Sequence, residues 1–204
     1  MLKLHFAPMT RAIRVRWLLE ELELPHELVR VKFRPPTDRF FQQDTPTGKL
    51  PTLEDGPVVL CESGAIVEYL LERHGGGRLA PAPGDPERAE FLQWLHFAEA
   101  TAFPPIGIVA WLSRYKGETE RYAELLADAR ERAVASFAFA EPVLARREHL
   151  LASGFSAADV MMGFTLGAAS LLGVLDARLP QLEAYWKRLQ ERPALRRALD
   201  ADPA

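Results

Sequence analysis

The sequence predicts an α/β domain followed by an all-helical domain. Strand and helix patterns alternate in the first part of the 204 residues, whereas only helical patterns are seen after it. A segment rich in proline and glycine, residues 81–86, lies where the pattern changes, and such segments are typical of linkers. Mixed elements followed by a run of helices favour two separately packed domains. We therefore predict a first domain over residues 1–78, a linker over 79–86 and a helical domain over 87–204.

The first domain opens with a strand, a helix and a second strand. Residues 2–6 alternate apolar and polar side chains, as a half-buried strand does. Residues 14–22 carry leucine and valine at helical spacing, and Pro25 ends that helix. Residues 27–31 again have the pattern of a strand. We expect the two strands to belong to one small sheet.

A hairpin and a helix complete the first domain. Residues 34–49 hold three prolines and a glycine, which predicts a loop, with a helical turn near Phe40 and Phe41. Two short apolar segments follow, and the sequence Glu-Asp-Gly at 54–56 between them is typical of a hairpin turn. Residues 63–73 have an apolar helical face and are followed by three glycines. This order of elements is that of a thioredoxin-like domain, a small mixed sheet flanked by helices.

The second domain is predicted to be helical throughout. Pro104 and Pro105 must kink or interrupt its first helix, because proline lacks the N–H that a helix interior uses. Ser156 followed by Asp159 resembles a capping box at the start of an apolar helix, with Asp in place of the usual Glu. Helical patterns cover residues 87–115, 118–149, 157–172, 182–191 and 194–199.

Composition excludes several classes of protein. Hydrophobic residues make up 48% and charged residues 26%, as in ordinary globular domains, and the net charge of −3 gives no general attraction for nucleic acid or anionic lipid. No uninterrupted apolar run approaches the roughly 18 residues of a membrane helix. The single cysteine excludes an internal disulfide framework, and the histidines show no metal-ligand spacing. We expect a cytoplasmic protein that binds neither nucleic acid nor membrane.

The segment from Lys49 to Ser63 carries the strongest signal of a binding site. A proline at the start of a strand has no N–H, so the backbone of Leu50 is available to a molecule lying alongside. Glu62 and Ser63 would place a carboxylate and a hydroxyl beside the free N–H groups at the start of a helix. Together these groups suit a small zwitterionic peptide.

Four segments resemble the cytosolic glutathione transferase superfamily, and the resemblance covers nearly the whole chain. Residues 48–53 are similar to its cis-proline loop, and residues 62–66 to its γ-glutamyl-binding turn. Residues 14–22 are similar to the first helix of many bacterial members, and residues 154–159 to the capping motif of a buried helix. Each motif alone is weak, whereas the ordered set is specific.

The resemblance implies roles in glutathione binding for five residues. It implies a cis bond before Pro51, with the Leu50 backbone pairing with the cysteinyl unit of glutathione. Ser63 and the helix N–H groups would take the γ-glutamyl carboxylate, Glu62 the ammonium and Lys49 the glycyl carboxylate. Each residue also has a plainer interpretation: Pro51 begins an edge strand, Glu62 and Ser63 cap a helix, and Lys49 is a solvated loop residue.

The group that activates the thiol is less evident. A hydroxyl or N–H donated to sulfur stabilises the thiolate, and the family supplies it just after the first strand from Tyr, Ser or Cys. This chain has Phe6 followed by a segment in which Thr10 is the only hydroxyl. Thr10 is therefore the first candidate and Arg11 the second, since a guanidinium near sulfur would also favour the thiolate. The alternative for Thr10 is a helix cap.

The second substrate would meet apolar residues from two parts of the chain. By resemblance, the helix after the linker walls this pocket over the sulfur, and we predict Phe103 and Trp111 for the wall, with Met9 opposite. Methionine is adaptable and suits a promiscuous apolar pocket. Large aromatic residues of this kind are more often part of a core.

The predicted function is attack of the glutathione thiolate on a small apolar electrophile, a glutathione S-transferase reaction typical of detoxification. Glutathione would be a co-substrate, with no permanently bound cofactor or metal. The resemblance also implies a cytoplasmic homodimer, in which the helix around Tyr69 contacts the first long helix of the other subunit. The alternatives are a glutathione-binding protein with little or no turnover, favoured by the missing Tyr, Ser or Cys, and a glutathione-dependent peroxidase or reductase.

Overall fold

The computed structural model describes residues 1–32, 45–116 and 119–200, apart from the side chain of Tyr115. Most of the loop predicted over residues 34–49, including Phe40 and Phe41, lies outside this description. The chain forms two compact units, one of Met1–Leu79 together with the chain from Glu191 on, the other of Ala80–Gln190. This differs from the predicted division, which assigned the end of the chain to the helical domain.

The first unit contains a four-stranded sheet with the order β2-β1-β3-β4. Strands β1 and β2 are parallel, whereas β1 with β3 and β3 with β4 are antiparallel. This mixed sheet and its helices confirm the predicted thioredoxin-like fold. The elements are β1 Leu2–Phe6, α1 Ala12–Glu21, β2 His26–Arg30, β3 Thr52–Asp55, β4 Val58–Cys61 and α2 Ser63–His74, with α9 Pro193–Leu199 from the end of the chain.

The core of this unit is formed by the apolar side chains on one face of β1 and by the apolar faces of α1 and α2. Leu4 is fully buried, while His5 beside it faces the polar side and contacts Glu54 at 2.6 Å. Trp17 of α1 and Ile66 of α2 are also fully buried. A buried side chain of this size contributes about 1.5–3 kcal/mol to folding, so the packing of these helices on the sheet stabilises the unit.

Helix α9 belongs to the first unit because it packs on α1. Arg192 makes two hydrogen bonds to the Glu21 carboxylate, at 2.7 and 2.8 Å, and Arg197 pairs with Glu20. Buried Arg16 donates to the carbonyl of Ala198 at the end of α9. Charged residues that lie far apart in sequence therefore attach the last helix to the first.

The second unit is helical. Its elements are α3 Arg88–Phe97, a π-helical stretch Ala98–Ala102, α4 Phe103–Ala110, a second π-helical stretch Trp111–Lys116, α5 Ala123–Phe137, α6 Glu141–Leu144, α7 Ala157–Leu171 and α8 Pro180–Gln190. The predicted helix over 118–149 is shorter than expected, since α5 ends at Phe137. A new short helix with Pro142 in its first turn follows, where proline is tolerated.

Pro104 and Pro105 do not break the helix that contains them. The predicted kink or interruption corresponds to the wider π-helical turn at Ala98–Ala102, directly before α4. Proline cannot donate to a carbonyl one turn earlier, and a widened turn accommodates the missing hydrogen bonds. The helical segment therefore runs on through both prolines.

The helical segment Arg88–Arg114 is long and apolar enough to cross a membrane by length and composition, although no uninterrupted apolar run predicts this. Core helices of water-soluble proteins pass the same test. Phe91 and Leu95 of this segment are fully buried, and α3 packs against α7 within the helical unit. Its apolar side chains thus contribute to the core of this unit.

The capping box at the start of α7 is confirmed. Ser156 and Asp159 make the reciprocal side-chain-to-backbone hydrogen bonds that define it. Asp159 is fully buried and also accepts from Leu150 N–H at 3.0 Å and from the Tyr185 hydroxyl at 2.6 Å. Burial, then the charge of Asp159, raises the pKa of Tyr185, so the phenol remains a hydrogen-bond donor.

Candidate functional site

Three segments of the first unit meet at one end of the sheet. Strands β1 and β3 are antiparallel with His5 opposite Thr52, so the turn after β1 lies beside the residues before β3. Strands β3 and β4 are antiparallel with Thr52 opposite Cys61, so the residues after β4 also reach this end. The register therefore brings together the turn that contains Thr10, the Leu50–Pro51 segment and Glu62 with Ser63.

The Leu50–Pro51 peptide bond is cis, as the resemblance implies. Pro51 is buried and leads directly into β3, while Leu50 is half-buried and Lys49 is exposed. The Thr45 hydroxyl donates to the Lys49 carbonyl at 2.7 Å and closes the turn before this segment. The exposed side chain of Lys49 is accessible to solvent or to an anion.

Glu62 and Ser63 begin α2 in an unusual conformation. Glu62 has φ 69° and ψ 111°, a left-handed backbone that non-glycine residues rarely adopt. Its side chain is exposed and makes no capping hydrogen bond to the described part of the chain. Simple side-chain capping, the plainer interpretation of Glu62, therefore does not account for this residue.

Ser63 accepts a hydrogen bond from an arginine of α1. The Arg14 guanidinium donates from Nη1 to Ser63 Oγ at 3.1 Å, and both residues are buried. Arg14 was not among the predicted site residues. Helical spacing alone places Arg14 on the same turn as buried Trp17 and Leu18, and a charged residue at such a position is the signal that could have identified it.

The Thr10 hydroxyl is engaged within its own turn. It donates to the Ala7 carbonyl at 2.8 Å and accepts from Ala12 N–H at 3.3 Å. Only the second contact reaches α1, at its first residue, and the first lies within the turn before the helix. To donate to a sulfur atom, the hydroxyl would have to release Ala7. Met9, next to Thr10, is 58% exposed with φ 62°.

The two residues predicted for the second-substrate wall have different environments in the helical unit. Phe103 is 9% exposed and stacks on Phe164, with ring centroids 5.8 Å apart, so its ring contributes to the core. Trp111 is 37% exposed and lines a groove of about 500 Å³. The other residues lining this groove are Pro104, Gly107, Ile108, Leu112, Lys116, Tyr122 and Leu125.

Cys61, the single cysteine, is half-buried. It ends β4, and its Sγ lies 3.6 Å from Thr52 Oγ1 in the neighbouring strand. The position on an edge strand explains the partial exposure, since β4 has a neighbour on one side only. Cys61 thus lies beside Glu62 but one residue outside the predicted binding set.

Comparison with known proteins identifies the family. Residues 4–78 match the family model described as glutathione S-transferase, N-terminal domain. Glutathione S-transferase GstB of Escherichia coli (strain K12) is 31% identical over 198 residues, which cover 93% of each protein. The chain belongs to the glutathione S-transferase family.

The relatives of this chain are not all named as transferases. The disulfide-bond oxidoreductase YfcG of Escherichia coli (strain K12) is 28% identical over 224 residues, covering 98% of this chain and 94% of YfcG. A solved structure of a glutathione transferase family member from Pseudomonas fluorescens pf-5, with two glutathione bound, is 26% identical and has a TM-score of 0.82. The match covers 98% of this chain and 92% of the chain in that structure.

Proposed function

We propose that this protein is an enzyme that binds glutathione at the end of the sheet and transfers it to small apolar electrophiles. The observation that carries the proposal is the convergence of Leu50, Ser63 and the Thr10 turn at one end of the sheet. Family membership supports the same reading, because a relative of known structure has glutathione bound. Glutathione is a co-substrate in this scheme.

Each part of glutathione has a candidate partner in the first unit. The Leu50 backbone pairs with the cysteinyl unit, and Lys49, whose side chain is exposed, meets the glycyl carboxylate. Ser63 and the N–H groups at the start of α2 take the γ-glutamyl carboxylate, which a helix N-terminus favours. Glu62, also exposed, meets the ammonium group. Pro51 supports Leu50 by supplying no competing N–H.

The thiolate is stabilised at the turn between β1 and α1. Thr10 and Arg11 are the candidate donors, together with a backbone N–H of the same turn. Engagement of the Thr10 hydroxyl by Ala7 weakens the case for Thr10 in the ligand-free protein, since the hydroxyl has one proton to give. Arg11 is the second candidate, because a guanidinium is a cation that carries several hydrogen-bond donors.

The electrophile is small and apolar, and the thiolate attacks it at carbon. Trp111 is our first candidate for a wall residue, because it combines an aromatic surface with partial exposure in an apolar groove. Met9 is the second, since its flexible side chain is exposed beside the Thr10 turn. Phe103 is the third, and its stacking on Phe164 favours a structural contribution.

A glutathione titration tests the proposal. Calorimetry of the purified protein with glutathione is followed, in the same sample, by ultraviolet difference absorbance of the bound thiolate across pH. We expect binding and a thiol pKa below that of free glutathione measured alongside. Binding with an unshifted thiol pKa would favour the alternative of a glutathione-binding protein with little or no turnover. The absence of binding would contradict a glutathione-dependent function.

Thr10→Ala separates the candidate donors. If Thr10 holds the thiolate, this variant binds glutathione as tightly as wild type, has a raised bound-thiol pKa and loses about 10²-fold in kcat. Thr10→Ser is the matched control, because it keeps the hydroxyl. Unchanged kinetics in Thr10→Ala would move the role to Arg11, tested by Arg11→Gln, or to a backbone N–H.

A second candidate function is glutathione-dependent disulfide reduction, favoured by the name of the relative YfcG. In this reaction the glutathione thiolate attacks one sulfur of a small disulfide and releases the other as a thiolate. A second glutathione thiolate then attacks the mixed disulfide, giving oxidised glutathione and the second thiol. Parallel assays with an aryl halide, an organic hydroperoxide and a small disulfide distinguish conjugation, peroxidase and reductase activity.

A further inference from the structure

Arg14 is a fully buried cation at the base of the candidate site. It lies on α1, and its Nη1 is 3.1 Å from the Oγ of Ser63, the first residue of α2. Ser63 is itself only 3% exposed. Burying a guanidinium is costly unless hydrogen bonds offset the cost, and the bond to Ser63 Oγ is one of them. The contact joins two residues 49 positions apart and brings a positive charge to the first turn of a helix.

The charge is at the helix end where a cation is least favoured. The macrodipole of α2 places partial positive charge at its N-terminus, where anions are stabilising and cations are not. Arg16, two residues further along α1, is buried in the opposite setting, since it donates to the carbonyls of Ala198 and Asp200 at the end of α9. An anion arriving at the start of α2 would therefore gain from both the helix and Arg14.

The hydrogen bond also determines what Ser63 can offer a ligand. A serine hydroxyl donates one hydrogen bond and accepts others. Because Arg14 donates to Ser63 Oγ, one acceptor position is occupied and the hydroxyl proton remains available. A carboxylate only accepts hydrogen bonds, so it is the complement of a hydroxyl oriented in this way.

We infer that Arg14 is a positioning residue for the γ-glutamyl α-carboxylate of glutathione. It orients the Ser63 hydroxyl as a donor and adds positive charge at the α2 N-terminus. The inference rests on the proposed glutathione site and deepens it, because it names the part of the ligand that Arg14 serves. It requires no direct contact between Arg14 and the ligand.

A comparison of two ligands tests this role. Calorimetry measures binding of glutathione and of γ-aminobutyryl-cysteinylglycine, which lacks only the α-carboxylate, to wild type, Arg14→Met, Ser63→Ala and the double variant. We expect Arg14→Met to weaken glutathione binding about 10- to 100-fold, as for loss of a charge-assisted hydrogen bond. The affinity of Arg14→Met for the analogue should differ from that of wild type by less than about two-fold. The double variant should bind glutathione no more weakly than Arg14→Met, because the effects of coupled residues are not additive.

Arg16→Met is the matched control, because it removes a second buried arginine from the same helix. It should lower the urea midpoint without any preference between the two ligands. If Arg14→Met does not fold, Arg14→Lys replaces it in the same set of measurements. Lysine keeps the positive charge but lacks the planar guanidinium group, so we expect a smaller loss of affinity for glutathione, again with little change for the analogue.

Several results would overturn the inference. Equal weakening of both ligands, or a double variant with the full sum of the two single losses, would make Arg14 a purely structural residue. Wild type that binds glutathione no better than the analogue would overturn the carboxylate assignment and leave the proposed function standing. Wild type that binds neither ligand would overturn both.

Discussion

Asp159 shows how much one buried carboxylate contributes at the scale of a single residue. It has no exposed surface and accepts hydrogen bonds from the backbone of Leu150 and Ser156, from the Ser156 hydroxyl and from Tyr185. Its removal leaves several buried donors without an acceptor, and each such loss is expensive. The residue thus joins the start of α7 to α8.

We expect Asp159→Ala to lower the free energy of unfolding by about 3–5 kcal/mol, as for breaking a buried charged network. Ser156→Ala, which removes one hydroxyl from the same capping box, should cost about 1 kcal/mol. Urea titrations followed by circular dichroism measure both. Equal losses in the two variants would mean that Asp159 acts only as a helix cap.

Asp55 gives the first unit a pH-dependent contribution to stability. Hydrogen bonds from His74 at 2.8 Å and from the Tyr69 hydroxyl at 2.9 Å lower its pKa below the ordinary value of 3.8. A carboxyl with a lowered folded-state pKa stabilises the protein above its unfolded-state pKa, and this stabilisation is lost as pH falls through the folded value.

Asp55→Asn should therefore be less stable than wild type at pH 7, with the difference shrinking as pH falls below 3.8. Urea midpoints measured in steps from neutral to acidic pH check this. Glu72→Gln, which removes an exposed carboxylate from α2, is the control and should parallel wild type. A difference between Asp55→Asn and wild type that is constant with pH would show that charge at Asp55 is not the cause.

The residue scale also shows what spacing can and cannot predict. Ser156 and Asp159 were predicted from three-residue spacing, because a capping box is a local motif. The contact between Arg14 and Ser63 depends on the packing of α1 against α2, and no local pattern encodes it. The hydrogen bond from Thr10 to Ala7 is likewise local, and donation from Thr10 to a thiolate stays a prediction.

At the scale of the element, two helix glycines differ in the space around them. A Cβ added at Gly107 in α4 would lie 3.5 Å from the Phe103 ring, an ordinary contact. A Cβ added at Gly167 in α7 would lie 3.1 Å from the Trp186 ring, which is tighter than most real contacts. The two helices thus offer a matched pair of substitutions.

Gly107→Ala should raise the free energy of unfolding by about 0.5–1 kcal/mol, because alanine loses less backbone entropy in a helix. Gly167→Ala should gain less or lose stability, since Trp186 is buried and must shift. Thermal melts of both variants test the comparison. A larger gain at Gly167 than at Gly107 would contradict the packing described for α7.

The ends of helices and strands were predicted best where a proline or a glycine lies next to them. Helix α2 ends at His74, directly before the three glycines, and β3 starts after Pro51. The longest error was the end of α5, predicted at residue 149 and observed at Phe137. Helical spacing continues past Phe137, whereas the chain leaves the helix there and starts α6 at Glu141.

At the scale of the whole molecule, the prediction that remains is the homodimer. By family resemblance, the helix around Tyr69 contacts the first long helix of a second subunit. We expect sedimentation equilibrium at micromolar concentration to give twice the chain mass of 22.9 kDa. A monomer at every concentration tested would contradict the homodimer and would leave the proposed glutathione site of the first unit untouched.

The sequence by itself determined the fold class and the family, and it predicted residues for a glutathione site. These follow from local signals: alternation in β1, a proline-led strand at Pro51, the Glu62–Ser63 helix start and the capping box before α7. Such signals act between neighbours in the chain, so they can be read without the fold.

Only the tertiary structure decided which distant residues meet. Arg192 is hydrogen-bonded to Glu21 and joins the end of the chain to α1. Arg14 donates a hydrogen bond to Ser63, and the Phe103 ring stacks on Phe164. These contacts depend on how helices and strands pack, and the energies that select them come from burial and charge pairing over long sequence distances. No periodicity in the chain carries that information.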